Sequence, residues 1–258
     1  MSLHIIPIKF PRLTPPRDDF FAALSGIRFS LKEGDVFVVS SKVVAIHQGR
    51  TLAMKDAPAK DTLILQEADK YVPREEVPGQ YAMLTLKNHT LVSAAGIDES
   101  NGNGYYILWP ENINEFCKEV WTVLRKQFKI KKLGVVMTDS HSIPQRHGAI
   151  GVGIGFHGMQ PFKKYKGKKD IFGRKFKFEQ VNLIDSLAAA AVLGMGEGAE
   201  KTPAAIVRGT TGIKFTTKNL YNEWVVDEKD DIFYPLLKTF RKPPRPPMKH
   251  LLILPDGS

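Results

Sequence analysis

Residues 133–140 read LGVVMTDS: an apolar run from Leu133 to Met137 that breaks on Thr138 and ends on the carboxylate of Asp139 and the hydroxyl of Ser140. A run with no polar alternation is the signature of a strand covered on both faces. It must therefore lie inside a sheet, and its end is marked by groups that prefer water or a cation. A second run, VFVVS at 36–40, reads as another strand, and a Ser-Ser-Lys turn follows it. The next apolar stretch, VVAI at 43–46, suits a strand or the opening of a helix.

Three longer segments carry helical spacing. In NINEFCKEVWTVLRKQF, apolar residues fall at 113, 116, 117, 120, 121, 124 and 128, and Asn112 or Asn114 could cap the start. TLILQEADKYVPREEV, 62–77, reads as a helix stopped by Pro73. LIDSLAAAAVLGMG, 183–196, reads as a helix leading to Gly196, and TPAAIVRG as a short strand ending at Arg208 and Gly209. Helices and strands are mixed without the strict alternation of a doubly wound sheet. With 258 residues the chain can bury a large core, as one domain or two lobes.

Lys and Arg number 37 against 27 Asp and Glu, a formal net charge of +10. That balance favours anionic partners. Cys117 is the single cysteine, so no disulfide can form within the chain and no thiolate cage can hold a metal; its helical setting reads as a buried small apolar residue. No stretch reaches the roughly 20 apolar residues of a membrane span. The opening MSLHIIPIKFPRL lacks a signal-like apolar segment, so the expectation is a cytoplasmic protein without membrane contact. The tail KTFRKPPRPPMKHLLILPDGS, 238–258, is rich in proline and basic residues and reads as extended, with an apolar end able to dock.

Three acids stand where elements end: Asp98 in LVSAAGIDESNGNG, Asp139, and Glu197 in GMGEG. Each alone suits a turn or a cap. Together they would suit a hard divalent ion bound to phosphates, to which Ser140 could add an oxygen. Glu99 reads as solvated. The glycines of RHGAIGVGIGFHG match neither a phosphate loop nor a complete dinucleotide fingerprint, and read as sites of close backbone approach or a bulge. His141, His147 and His157 have no metal-ligand spacing and read as polar or core residues. FKKYKGKKDIFGRKFKF, 162–178, admits a nucleic-acid face, an electrostatic funnel for an anionic metabolite, or a hairpin with an aromatic inner side and Gly173 at its turn. The hairpin is the favoured reading, and nucleic acid is not an expected partner.

Read in order, five segments resemble the coenzyme F-420:gamma-glutamyl ligase family: GDVFVVSSKVVAIHQGR, AAGIDESN, VVMTDSHSIPQRHGAIGVGIGFHGMQPF, KGKKDIFGRKF and LIDSLAAAAVLGMGEGAEKTPAAIVRG. The resemblance implies an α+β fold of two lobes in one unit over 1–258, and an intertwined homodimer. It implies a GTP-dependent ligase that joins L-glutamate to a carboxylate of a phosphorylated deazaflavin. It also implies Mn or Mg, expected as two ions, held by Asp98, Asp139, Ser140 and Glu197. Nucleotide contacts are implied for Ser41, Lys42, Asn101 and the loop from Met195 through Gly196, Glu197 and Gly198 to Glu200. Asp98 and Asp139 then serve catalysis, and Arg146, with Arg174 and Arg208, is a candidate grip on phosphate or on the carboxylates of glutamate.

The chain departs from the family pattern at FPRL, residues 10–13, where a nucleotide segment is expected. It departs again at Ile46 and Gln48, at DSHSIP, and at Glu197 in place of a glutamine. These changes leave ATP open as the co-substrate, a folate- or pterin-type acid open as the polyanionic acceptor, and a non-catalytic nucleotide- or nucleic-acid-binding relative open as the alternative to a ligase.

Overall fold

The computed structural model describes residues 2–244. In chain order it contains β1 (His4–Ile8), α1 (Phe20–Ser25), β2 (Asp35–Ser40), α2 (Ser41–Gln48), β3 (Thr51–Ala53), α3 (Lys60–Glu67), β4 (Lys70–Val72), β5 (Leu84–Lys87), β6 (Thr90–Ser93) and β7 (Tyr105–Ile107). There follow α4 (Ile113–Phe128), β8 (Leu133–Ser142), β9 (Ala149–His157), β10 (Phe162–Lys164), β11 (Gln180–Asn182), α5 (Leu183–Met195), β12 (Ala204–Arg208), α6 (Tyr221–Trp224) and α7 (Tyr234–Leu237). The architecture is mixed α+β. Among the described residues no helix is long and apolar enough to cross a membrane.

The main sheet has the order β1-β12-β2-β8-β9. β2 and β8 run parallel, with Asp35 opposite Leu133 and Ser40 opposite Thr138, and the other pairings are antiparallel. The long crossover between β2 and β8 is what parallel neighbours require. Phe37, Val39, Val135, Met137 and Ile206 pack on one face with Cys117, Val120 and Leu124 of α4. Val36, Val38, Val136 and Val207 pack on the other with Ile184, Leu187 and Ala191 of α5. Two covered faces explain the unbroken apolar runs, since burying each such side chain is worth about 2 kcal/mol. Cys117 is fully buried, and burial pushes its thiol pKa up.

The glycines of β9 let both helices close on the sheet. A Cβ on Gly151 would lie 2.5 Å from the Ala188 carbonyl oxygen, and one on Gly153 would lie 2.5 Å from Ile184 Cγ2, both in α5. A Cβ on Gly155 would instead lie 2.4 Å from Ile113 Cγ2 of α4. The change of side follows from a bulge: Met137 pairs with Gly155 and Thr138 with Gly153, leaving Ile154 as the extra residue that reverses the alternation. Close approach and bulge, the two readings of this glycine run, both occur.

Smaller sheets pair β3 with β7, and β4 with β5 and β6. Leu63, Ile64, Met83, Ala95, Ile97 and Leu108 form a separate apolar cluster beside the three-stranded sheet. Here the helix expected over 62–77 is corrected. α3 ends at Glu67, and Lys70–Val72 pairs with Leu84–Leu86 as a strand, so Pro73 follows a strand. Tyr71 also exchanges backbone hydrogen bonds with Arg241, so long-range pairing overrides local helical spacing. VVAI lies in helix α2. Asn112 occupies the N-cap of α4 in a left-handed conformation without a side-chain cap bond, while Asn114 Oδ1 accepts from the Phe156 N–H at 3.2 Å.

The basic segment is a hairpin, with β10 paired to β11 and Gly173 in its turn at φ +88°. Its aromatic side is not an inner one. Tyr165 and Phe176 pack together, but Ile171, Phe172 and Phe178 are 91, 89 and 84% exposed. Only its base pairs as strands, and the outer part carries its apolar residues into solvent. The expected extension and docking of the tail fall largely on 245–258, outside the described residues.

Candidate active site

Because β2 and β8 are parallel, their C-terminal ends open on the same edge of the sheet, where ligands of open sheets collect. β2 passes directly into α2, which puts Ser41 and Lys42 in a first helical turn. β8 delivers Asp139 and Ser140 beside them. α5 ends at Gly196, whose φ of +79° turns the chain so that Glu197 comes next to Ser140, with Ser140 Oγ donating to Glu197 Oε2 at 2.6 Å.

The fourth contribution comes from the loop after β6. Ala94, Ala95 and Gly96 take positive φ values of 52°, 53° and 73°. For the two alanines this costs on the order of 1–3 kcal/mol each. Ala95, fully buried in the small apolar cluster, helps to offset that cost. A Cβ on Gly96 would lie 2.1 Å from Trp109 Cε3, so only glycine fits. The backbone of Asp98 then pairs with Ile107 through bonds of 2.9 and 2.8 Å, which fixes the carboxylate in place.

Lys42 Nζ reaches Asp98 Oδ2 at 2.6 Å, Ser100 Oγ at 2.9 Å and the Ser100 carbonyl at 3.1 Å. Burial alone would raise the Asp98 carboxyl pKa, but the Lys42 ammonium and the Ser100 N–H and hydroxyl outweigh it, and the pKa lies below its ordinary value. Asp139 behaves oppositely. Burial pushes its pKa up to about 7, with Asp98 adding to the rise, against the Ser140 N–H, Ser41 and Lys42. Asn101 Nδ2 donates to the Gly198 carbonyl at 3.2 Å, joining the Asp98 loop to the loop after α5.

All these residues line one cleft with about 480 Å³ of free volume: Ser41, Lys42, Asp98, Asn101, Asp139, Ser140, Met195, Gly196, Glu197 and Gly198. Ile46 and the FPRL segment, two of the places where the chain departs from the family pattern, also face it through Ile46, Pro11, Arg12 and Leu13. Thr14, Asn103, Lys201 and Thr202, which sequence reasoning did not single out, line the same cleft. They sit in irregular segments with no periodicity, and only their nearness to strand and helix ends hinted at them.

Arg146, Arg174 and Arg208 do not line this cleft. Arg146 is exposed in the β8–β9 turn, where Nη1 donates to its neighbour's carbonyl at 3.2 Å. Arg174 is at the tip of the basic hairpin, and Arg208 is clasped by Asp35. Glu99, read as solvated, is ion-paired with Lys60 at the surface. His157 is buried against Trp121, whereas His147 is exposed and His141 half-buried.

Among the described residues no three His, Cys, Asp or Glu side chains gather as a ready-made metal cage. Mg-type sites seldom have one, since they use one or two carboxylates and complete the shell with water and phosphate. The donors here fit that pattern. Three oxygens around the Lys42 ammonium already form a cation cradle, and the Asp139 carboxyl and Ser140 hydroxyl line the same cleft.

Comparisons with known proteins show the family. The profile of the family described as F420-0:Gamma-glutamyl ligase matches residues 8–209. A Coenzyme F420:L-glutamate ligase of Methanopyrus kandleri is 33% identical over 225 residues, covering 81% of this chain and 87% of that protein. One of Halorubrum lacusprofundi is 34% identical, covering 77% and 84%. One of Methanosarcina mazei is 32% identical, covering 70% and 76%. With a family profile spanning most of its length and all four site segments inside the matched region, the chain belongs to the F420-0:gamma-glutamyl ligase family of enzymes.

Proposed function

We propose that this cleft joins the amine of L-glutamate to a carboxylate of a phosphorylated deazaflavin of the coenzyme F420-0 type, driven by GTP or ATP. Family membership and the relatives' names support glutamate ligation in F420 biosynthesis. The single observation that carries the reading is the convergence of Lys42, Asp98, Asn101, Asp139, Ser140 and Glu197 on one cleft.

A carboxylate is a poor electrophile. One of its oxygens attacks the terminal phosphorus of the nucleotide, the bond to the bridging oxygen breaks, and nucleoside diphosphate leaves. The acyl phosphate is then attacked by the neutral amine of glutamate. Inorganic phosphate departs with the carboxylate oxygen, and the new amide nitrogen gives up a proton. Positioning and charge neutralisation dominate such a transfer. Mn or Mg, expected as two ions, would supply much of that neutralisation. Asp98, Asp139, Ser140 and Glu197 would hold the cations, and Ser41, Asn101 and the 195–200 loop would orient the nucleotide. Lys42, Arg12 and Lys201 add positive charge for phosphates. Arg146, outside the cleft, takes no part in this reading.

The assembly proposed is a homodimer. The apolar side chains of Ile171, Phe172 and Phe178 support it, since a patch so exposed is normally covered by a partner.

The test offers L-glutamate, GTP or ATP, and Mn or Mg with a panel of deazaflavin and reduced-folate acids, and reads products by mass. A deazaflavin that gains a glutamyl unit as diphosphate is released supports the reading. Gain on the folate-type acid alone would move the acceptor to that class, and no product with any acceptor would overturn the reading.

A further inference from the structure

We propose that Lys42 is an internal counter-cation for Asp98, and that it gives up this place when a nucleotide polyphosphate enters the cleft with a divalent ion. The proposal rests on the metal- and nucleotide-dependent reading above.

The Lys42 ammonium is held only by oxygens: one carboxylate, one hydroxyl and one carbonyl, at 2.6, 2.9 and 3.1 Å. Those are the donors a hard cation takes. The pair is accessible, with the two side chains 25% and 40% exposed, so exchange needs no opening of the core. A second attraction lies close by. Lys42 sits in the first turn of α2, and Ser40 at the N-cap makes no side-chain bond to the free N–H groups there. A helix start of this kind favours phosphate. A lysine's flexible stem can swing its charge from the carboxylate to that phosphate.

Charge accounts for the direction of exchange. Asp98, Asp139 and Glu197 line the same cleft, and among the described residues only Asp98 of the three is ion-paired, with Lys42. A divalent ion brings twice the charge of that ammonium, but on its own it must displace Lys42 and leave the ammonium without a partner. A polyphosphate supplies that partner. Cation and nucleotide therefore bind with reciprocal cooperativity, and Lys42 is the residue through which they are coupled.

The full chain would be titrated with Mn, reading free Mn by electron paramagnetic resonance, with and without a non-hydrolysable GTP analogue. In the unsubstituted protein the analogue should tighten Mn binding by about tenfold, within the usual range of such couplings. Lys42→Met should bind Mn alone about tenfold more tightly than the unsubstituted protein, and the analogue should then tighten it by a smaller factor than it does in that protein. Lys42→Gln repeats the test with a polar side chain should the methionine variant fold poorly. If both variants bound Mn alone no more tightly than the unsubstituted protein, while the analogue still promoted binding in that protein, the counter-cation role would be overturned and the ligase reading would stand. If the unsubstituted protein bound Mn neither alone nor with the analogue, both would fall.

Discussion

Arg208 grips Asp35 with two parallel bonds, Nε to Oδ1 at 2.8 Å and Nη2 to Oδ2 at 2.7 Å, and the Asp35 side chain is 1% exposed. Asp35 opens β2, whereas the cleft lies at the other end of that strand. The arginine is therefore committed to the fold, and it does not serve as the phosphate or glutamate grip that its place in the sequence suggested. Arg208→Met would strand a buried carboxylate and should cost about 3 kcal/mol in urea unfolding. The KM values for nucleotide and glutamate should be unchanged in the protein that remains folded.

Gly96→Ala should damage the site and the fold together. The added methyl meets the Trp109 ring, and the positive φ adds strain. The expected loss is roughly 2 kcal/mol of stability, read as a lower Tm. Activity should fall as well, because the same loop carries Asp98.

Asp139→Asn keeps the shape of the side chain and removes its charge. Turnover should fall about 100-fold or more, as when a strong electrostatic stabiliser is removed. Tm should hold or rise, because burial disfavours the charged carboxylate. A variant that turned over at the full rate would remove Asp139 from the proposed chemistry.

Stability should fall in mild acid through His157. Burial, with Lys118 nearby, holds this imidazole below its ordinary pKa, and its Nε2 has no hydrogen-bond partner among the described residues. The folded state therefore favours the neutral ring. The contribution is complete above the unfolded value of about 6.5 and is lost as pH falls through the lower folded value. Urea midpoints compared at neutral and mildly acidic pH should show the decline, and His157→Phe should flatten it.

Much of this was legible in the sequence, for physical reasons. The runs at 36–40 and 133–137 are covered on both faces, and α4 and α5 carry enough regular spacing to declare themselves. Asp139 and Glu197 could be placed because strand and helix ends are readable. What depends on distant partners was hidden. Lys70–Val72 is a strand only because Leu84–Leu86 and Arg241 pair with it. The left-handed Ala94 and Ala95 violate local preference and are held by packing. The Lys42–Asp98 contact, the presence of Arg12 in the cleft and the distance of Arg146 from it arise when the crossover folds back on the sheet.

The most direct test of the central claim follows one oxygen atom. The accepting carboxylate is labelled with heavy oxygen, and the phosphate released in the presence of L-glutamate, nucleotide and Mn or Mg is analysed by mass. Phosphoryl transfer to the carboxylate places one labelled oxygen in each phosphate released, with the other retained in the amide. Glutamyl product formed alongside unlabelled phosphate, or label carried by a nucleoside monophosphate, would contradict the account.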